Sequence, residues 1–267
     1  TATFVAGTLS GVEIEPNDST AQTIVSGDSV VGSISSTSDK DYYAIATDSE
    51  GTLTVSFETA VDQYEGYDIF IIDADGNVLA SEVCDRNCVT SQGESRSISV
   101  GLSTAGTYFV FVRSETSYQR PEGTYTMTAT FVAGTLSGVE IEPNDDTAQT
   151  IVSGDSVVGT ISSTSDKDYY AIATDSEGTL TVRFETDVYQ YSGYDIFIID
   201  AEGNVLASEV CNTNCVTSRG ASRSISVGLS TAGTYFVFVR SESSYTRPEG
   251  SYTMTATFVA GTLSGVE

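Results

Sequence analysis

Two short segments hold most of the side chains in this chain that are able to do chemistry. The first is Glu13-Ile14-Glu15-Pro16-Asn17-Asp18, and the second, roughly twenty residues later, is Ser38-Asp39-Lys40-Asp41-Tyr42-Tyr43. Both recur as Glu140-Ile141-Glu142-Pro143-Asn144-Asp145 and Ser165-Asp166-Lys167-Asp168-Tyr169-Tyr170. In an extended segment Glu13 and Glu15 project to the same side, and Pro16 then turns the chain so that Asn17 and Asp18 can close on the same point. Carboxylates and an amide gathered this way suit a hard cation. Calcium takes about six to eight oxygens at about 2.3–2.6 Å with forgiving geometry, and it accepts ligands from two segments. Each segment taken by itself also reads as a solvated acidic turn.

Other chemistries are excluded by composition. The chain has no histidine, which removes Ser–His–Asp and Cys–His nucleophilic catalysis and the usual transition-metal ligand. Acidic pairs serve glycosidases, but the pairs here lie where a cation explains them better, so no catalytic role is expected. Four cysteines fall as Cys84-x3-Cys88 and Cys211-x3-Cys215. A zinc site needs about four N or S ligands. A local disulfide in each pair is therefore the better reading, rigidifying a loop tip and placing the protein in an oxidising, extracellular setting. With 37 acidic against 11 basic residues and a net charge of −26, nucleic acid and anionic membrane surfaces are poor partners. No apolar run approaches the length of about 20 residues that spans a bilayer.

The elements that must position these residues come in duplicate. Residues 1–127 and 128–254 differ at only 14 of 127 positions, and a third copy begins at Thr255. The expected organisation is the end of a preceding repeat and linker at 1–11, a module at 12–134, a linker at 135–138, a second module at 139–261, and the start of a following repeat at 262–267. Short β runs separated by Gly, Asn, Asp and Ser clusters dominate, with no sustained helical periodicity. In Thr52-Leu53-Thr54-Val55-Ser56-Phe57 the apolar residues alternate, so Leu53, Val55 and Phe57 face the core and Ser56, or Arg183 in the second copy, faces outward. Asp68-Ile69-Phe70-Ile71-Ile72 and Tyr108-Phe109-Val110-Phe111-Val112 are apolar on both faces and suit central strands. Further strands are expected near 29–34, 41–47, 77–82, 95–101 and 123–133. About eight strands per module predict an all-β chain of tandem jelly-roll or Greek-key sandwiches.

Asp73-Ala74-Asp75-Gly76-Asn77 reads as a hairpin turn in preference to part of a calcium loop, because it lacks the closing Glu of an EF-hand. Tyr43 and Tyr108 are expected in the core, whereas Tyr64, Tyr118 and Tyr191 sit in loop-like contexts and are candidate contact residues.

The ordered set E-x-E-P-N-D, S-D-x-D-Y-Y, Gly66-Tyr67-Asp68-Ile69-Phe70-Ile71-Ile72-Asp73-x-x-Gly76-Asn77, Ala105-Gly106-Thr107-Tyr108-Phe109-Val110 and Gly123-Thr124-Tyr125-Thr126-Met127 resembles the bacterial pre-peptidase C-terminal domain family through nearly the whole of both modules. That family includes the collagen-binding domains of clostridial collagenases. The resemblance implies a jelly-roll sandwich holding calcium at the junction of the linker and the sandwich. It implies ligands at Glu13, Glu15, Asn17, Asp18 and Asp41, with Glu140, Glu142, Asn144, Asp145 and Asp168 in the second copy. Asp39 and Asp166 are further candidates, with the preceding Ser38 and Ser165 as alternatives. The expected function is that of calcium-binding tandem modules of a large extracellular or surface protein. Their role would be structural or adhesive, with neighbouring repeats as partners. The alternative is a substrate-binding accessory of a secreted hydrolase, directed at polysaccharide or protein.

Overall fold

A computed structural model describes residues 11–36, 38–59, 67–83, 95–114, 123–134, 136, 138–163, 165–186, 194–210, 221–241 and 250–261. The chain divides into two compact units, the first made of residues 1–77, 83–98 and 104–134 and the second of 78–82, 99–103 and 135–267. The expected cysteine bridges and the contact candidates Tyr64, Tyr118 and Tyr191 lie outside the described residues.

The first repeat is built from β1 (Gln22–Ile24), β2 (Ser29–Ile34), β3 (Lys40–Thr47), β4 (Gly51–Thr59), β5 (Tyr67–Ile72), β6 (Val78–Glu82), β7 (Ser95–Leu102), β8 (Gly106–Ser114) and β9 (Gly123–Ala133). Its four-stranded sheet runs β2-β9-β4-β7 and its five-stranded sheet β1-β3-β8-β5-β6. The all-β expectation holds, and the doubly apolar segments β5 and β8 lie inside the five-stranded sheet, flanked by strands on both sides. The short parallel strand β1, paired through Gln22↔Tyr43 to Ile24↔Ile45, was not anticipated.

In β4 burial alternates as expected. Leu53, Val55 and Phe57 are sealed in the core, each contributing about 1.5–3 kcal/mol on transfer from water. Tyr43 is fully buried and Tyr108 nearly so. The Asp73–Asn77 segment is a turn. The Asp73 Oδ1 accepts the N–H groups of Asp75 and Asn77 at 2.9 and 2.8 Å, and Gly76 takes φ +88°, a conformation glycine adopts without strain.

The second repeat follows the same plan with β10 (Gln149–Ile151), β11 (Ser156–Ile161), β12 (Lys167–Thr174), β13 (Gly178–Thr186), β14 (Tyr194–Ile199), β15 (Val205–Glu209), β16 (Ala221–Leu229), β17 (Gly233–Ser241) and β18 (Gly250–Ala260). Its sheets run β11-β18-β13-β16 and β10-β12-β17-β14-β15. Arg183 projects outward from β13, where its Nε donates to Ser222 Oγ at 3.0 Å. The step from Ser56 to Arg183 therefore leaves the core untouched.

Candidate metal centre

Backbone pairing sets the position of the first acidic segment. Val31 N–H donates to Gly11 O, and Glu13 N–H donates to Val31 O, both at 3.0 Å, so residues 11–13 lie along the free edge of β2. Glu13 is thereby carried to Ser33, whose N–H donates to Glu13 Oε2 at 2.8 Å. The chain then passes through a cis Glu15–Pro16 bond and brings Asn17 inward. Asn17 is fully buried. Its N–H donates to Glu15 Oε2 at 3.0 Å and its Nδ2 to Glu13 Oε1 at 3.0 Å.

The second segment contributes through strand alternation. On β3, Tyr42 and Ala44 point outward while Asp41, Tyr43 and Ile45 point into the sandwich, so a carboxylate faces a core. Asp41 is fully buried. Glu13, Glu15 and Asp41 each place one carboxylate oxygen within 4.8 Å of the others, as do Glu140, Glu142 and Asp168.

The remaining expected ligands lie around this trio. Asp18 Oδ1 accepts Lys40 N–H at 2.9 Å, Asp145 accepts Lys167 N–H likewise, and Asp39 and Asp166, both buried, accept the N–H groups of Ser35 and Ser162. Asp18 and Asp39 add to the local field: the Glu15 carboxyl is raised by desolvation first, then by the charges of Glu13, Asp39 and Asp18. The Ser38 hydroxyl pairs with Ser36 at 3.2 Å on the surface.

Behind the carboxylates stand two tyrosines: Tyr43, which the sequence assigned only to packing, and Tyr125, to which it assigned no role. Tyr43 Oη lies 2.9 Å from Glu13 Oε1 and 2.7 Å from Tyr125 Oη, and Tyr125 Oη in turn contacts Asp41 Oδ2. The second unit repeats the chain through Tyr170 and Tyr252, with Tyr170 Oη 2.7 Å from Glu140 and 2.6 Å from Tyr252, and Tyr252 against Asp168. Four oxygens in a row with three contacts need three protons, and two phenols supply only two. Burial pushes the Asp41 carboxyl up to about 9, assisted by the charges of Glu13 and Asp39. An acid raised in this way is suited to hold the third proton when no ion is bound. Asp168 is raised in the same way, by burial and then by Glu140, Asp166 and Glu142.

Gly32 makes room for this pair. It sits opposite Tyr125 in the β2–β9 register, and a Cβ there would lie 2.4 Å from the Tyr125 hydroxyl and 2.7 Å from that of Tyr43; Gly159 meets Tyr252 and Tyr170 alike. A glycine inside a strand run marks a close approach, and that signal was available in Val30-Val31-Gly32-Ser33-Ile34.

A hard cation fits this donor set. Among the buried side-chain oxygens, Asn17 Oδ1 and Asp41 Oδ1 have no hydrogen-bond partner, nor do Asn144 Oδ1, Glu142 Oε1 and Asp168 Oδ1. A buried oxygen without a partner costs roughly 1–3 kcal/mol. The Asn17 and Asp41 orphans recur at Asn144 and Asp168, beside clustered carboxylates in both repeats. Glu13 differs, since both of its oxygens already accept hydrogen bonds.

No protein-family model matches the chain, and no curated protein matches it. Among solved structures, the chain is similar to the pre-peptidase C-terminal domain of a collagenase from Bacillus anthracis, at 17% identity and a TM-score of 0.31, over 41% of this chain and 94% of that one. It is also similar to the tandem CBM51 modules of a family 98 glycoside hydrolase from Streptococcus pneumoniae, at 11% identity and a TM-score of 0.29, over 88% and 84% of the two chains. The human CUB1-EGF-CUB2 segment of MASP-1/3 follows at 14% identity and a TM-score of 0.25, over 85% and 99%.

Proposed function

We propose that each unit is a non-catalytic, calcium-binding module of an extracellular tandem array, in which the ion ties the lead-in segment to the sandwich. The observation that carries this reading is the set of buried, partnerless oxygens on Asn17 and Asp41, and on Asn144 and Asp168, beside clustered carboxylates. Glu15, Asn17 and Asp41 would hold the ion, with Glu13, Asp18 and Asp39 completing the field. The bound ion supplies two positive charges that offset the carboxylate repulsion and joins residues of the lead-in to a residue of β3. The lead-in continues the small-residue linker, so occupancy stiffens the connection between repeats, whereas a short Gly/Ser-containing segment by itself is a flexible tether.

Calorimetric titration of the two-unit chain with calcium tests the site, with two equivalents expected. Small-angle scattering tests the stiffening, with a narrower distribution of dimensions in calcium than in chelator. Absence of binding heat would sink the reading. Binding with unchanged dimensions would confine calcium to an internal staple.

A substrate-binding accessory role is favoured by a different feature. On the outer face of the five-stranded sheet Tyr42, Phe111 and Phe70 stack across β3, β8 and β5 at 4.6 and 5.3 Å, and Arg113 covers Phe70 at 5.0 Å. Tyr169, Phe238, Phe197 and Arg240 repeat the row. Retention on a polysaccharide or protein matrix that is lost with Tyr42→Ala would support this role. Among the described residues no helix is long and apolar enough to cross a membrane.

A further inference from the structure

The tyrosine pair connects two carboxylates that arrive from different parts of the chain. Glu13 comes with residues 11–13 along β2 and Asp41 comes with β3, and the phenols of Tyr43 and Tyr125 link them: Tyr43 bonds Glu13, Tyr125 bonds Asp41, and the two hydroxyls bond each other. Tyr125 occupies one oxygen of Asp41 and leaves Oδ1 free. The phenol thus selects which oxygen is presented. The rings are fixed in turn. Phe57 stacks on Tyr125 at 4.8 Å, Tyr67 meets it edge-on at 5.8 Å, and Gly32 closes the other side without a side chain. Phe184, Tyr194 and Gly159 hold Tyr252 in the same way.

We infer that Tyr43 and Tyr125, with Tyr170 and Tyr252, are positioning residues for the cation: a hydroxyl bridge that sets the separation and orientation of Glu13 and Asp41 from inside the core. This rests on the cation reading above. Groups that orient metal ligands through hydrogen bonds typically contribute about 10–100-fold to affinity when removed. A bridge anchored in a packed aromatic cluster belongs with them, because it cannot follow a displaced carboxylate.

The test is calcium titration of the two-unit chain carrying Tyr125→Phe and Tyr252→Phe, with Tyr67→Phe and Tyr194→Phe as the control. The control rings pack on the same cluster, but their hydroxyls touch neither acid. Calcium affinity should fall about 10–100-fold in the first variant and stay within about twofold in the second, a difference well below the range for orienting groups. The chain has 15 tyrosines and no tryptophan, so a calcium-induced near-ultraviolet difference signal reports on tyrosine. That signal should be lost in the first variant and kept in the control. If the first variant does not fold, Tyr43→Phe with Tyr170→Phe carries the test, because Asp41 and Asp168 then keep their phenol partners. A merely structural role would lower the melting temperature equally in calcium and chelator and leave affinity unchanged, and that result overturns the inference while the cation reading stands. A parent chain that binds no calcium overturns both.

Discussion

Replacing Asp41 and Asp168 by asparagine separates the proton from the ion. With the Asp41 carboxyl pushed up to about 9 by burial, the ion-free site is expected to hold it neutral at pH 7, and a carboxamide has the same neutral charge and an oxygen that can accept from Tyr125. In chelator the double variant should therefore melt close to the parent. Displacing the proton at pH 7 costs the ion about 3 kcal/mol, since each unit of pKa is worth about 1.36 kcal/mol. A site that overcomes this with a dissociation constant near 10⁻⁴ M, on the order of extracellular calcium modules, gains about 2.7 kcal/mol in roughly 10 mM calcium. For units of this size that is an increase in melting temperature of roughly 10 °C. Asparagine removes the charge from the one fully buried acid of the first site. A loss of about 100-fold in affinity would leave roughly 0.4 kcal/mol, about 2 °C. Scanning calorimetry of parent and variant, each in chelator and in calcium, reads all four values. The reasoning is refuted if the variant melts far below the parent in chelator, which means an ionised Asp41, or if it keeps the parent's full calcium increment.

Three further outcomes follow from the same geometry. In chelator the melting temperature should fall as pH rises toward about 9. The folded state holds the Asp41 proton more tightly than the unfolded chain does, so this stabilisation is complete below about pH 4 and lost through the folded value; a rise in melting temperature over that window contradicts it. Gly32→Ala with Gly159→Ala should cost about 1–3 kcal/mol per unit through overpacking and weaken calcium binding as well, because the new Cβ displaces both phenols; unaltered calcium heat in a folded variant would contradict the second half. Mass spectrometry of the unreduced chain should show Cys84–Cys88 and Cys211–Cys215 each lighter by two hydrogens, and four alkylatable thiols would rule the bridges out.

Much of this was legible because strand alternation is a strong local signal. Leu53, Val55 and Phe57 declare their face without help, and β5 and β8 announce an interior place by being apolar on both sides. Asp41 was singled out through its motif, but its burial was not foreseen, since a carboxylate in an inward register contradicts the usual reading of strand polarity and is tolerated only where something compensates it. Tyr43 was correctly placed in the core, yet sequence says nothing about where a phenol oxygen ends up. Its bridge to Tyr125 depends on a partner 82 residues away. The three-residue β1 escaped because so short a run has no periodicity to measure, and its pairing is decided by β3.

The lead-in segment has a consequence for how near-identical neighbours avoid one another during synthesis. Copies this similar can exchange strands at little cost, and an uncovered strand edge is where such an exchange starts. Residues 11–13 occupy the free edge of β2 with backbone hydrogen bonds, and those same residues lead directly into the acidic cluster. If the acidic cluster holds calcium as proposed, a repeat that captures its ion also fastens this cover over its own sheet edge. On that proposal a repeat starved of calcium would hold this edge less firmly, and exchange between copies would be expected to begin there.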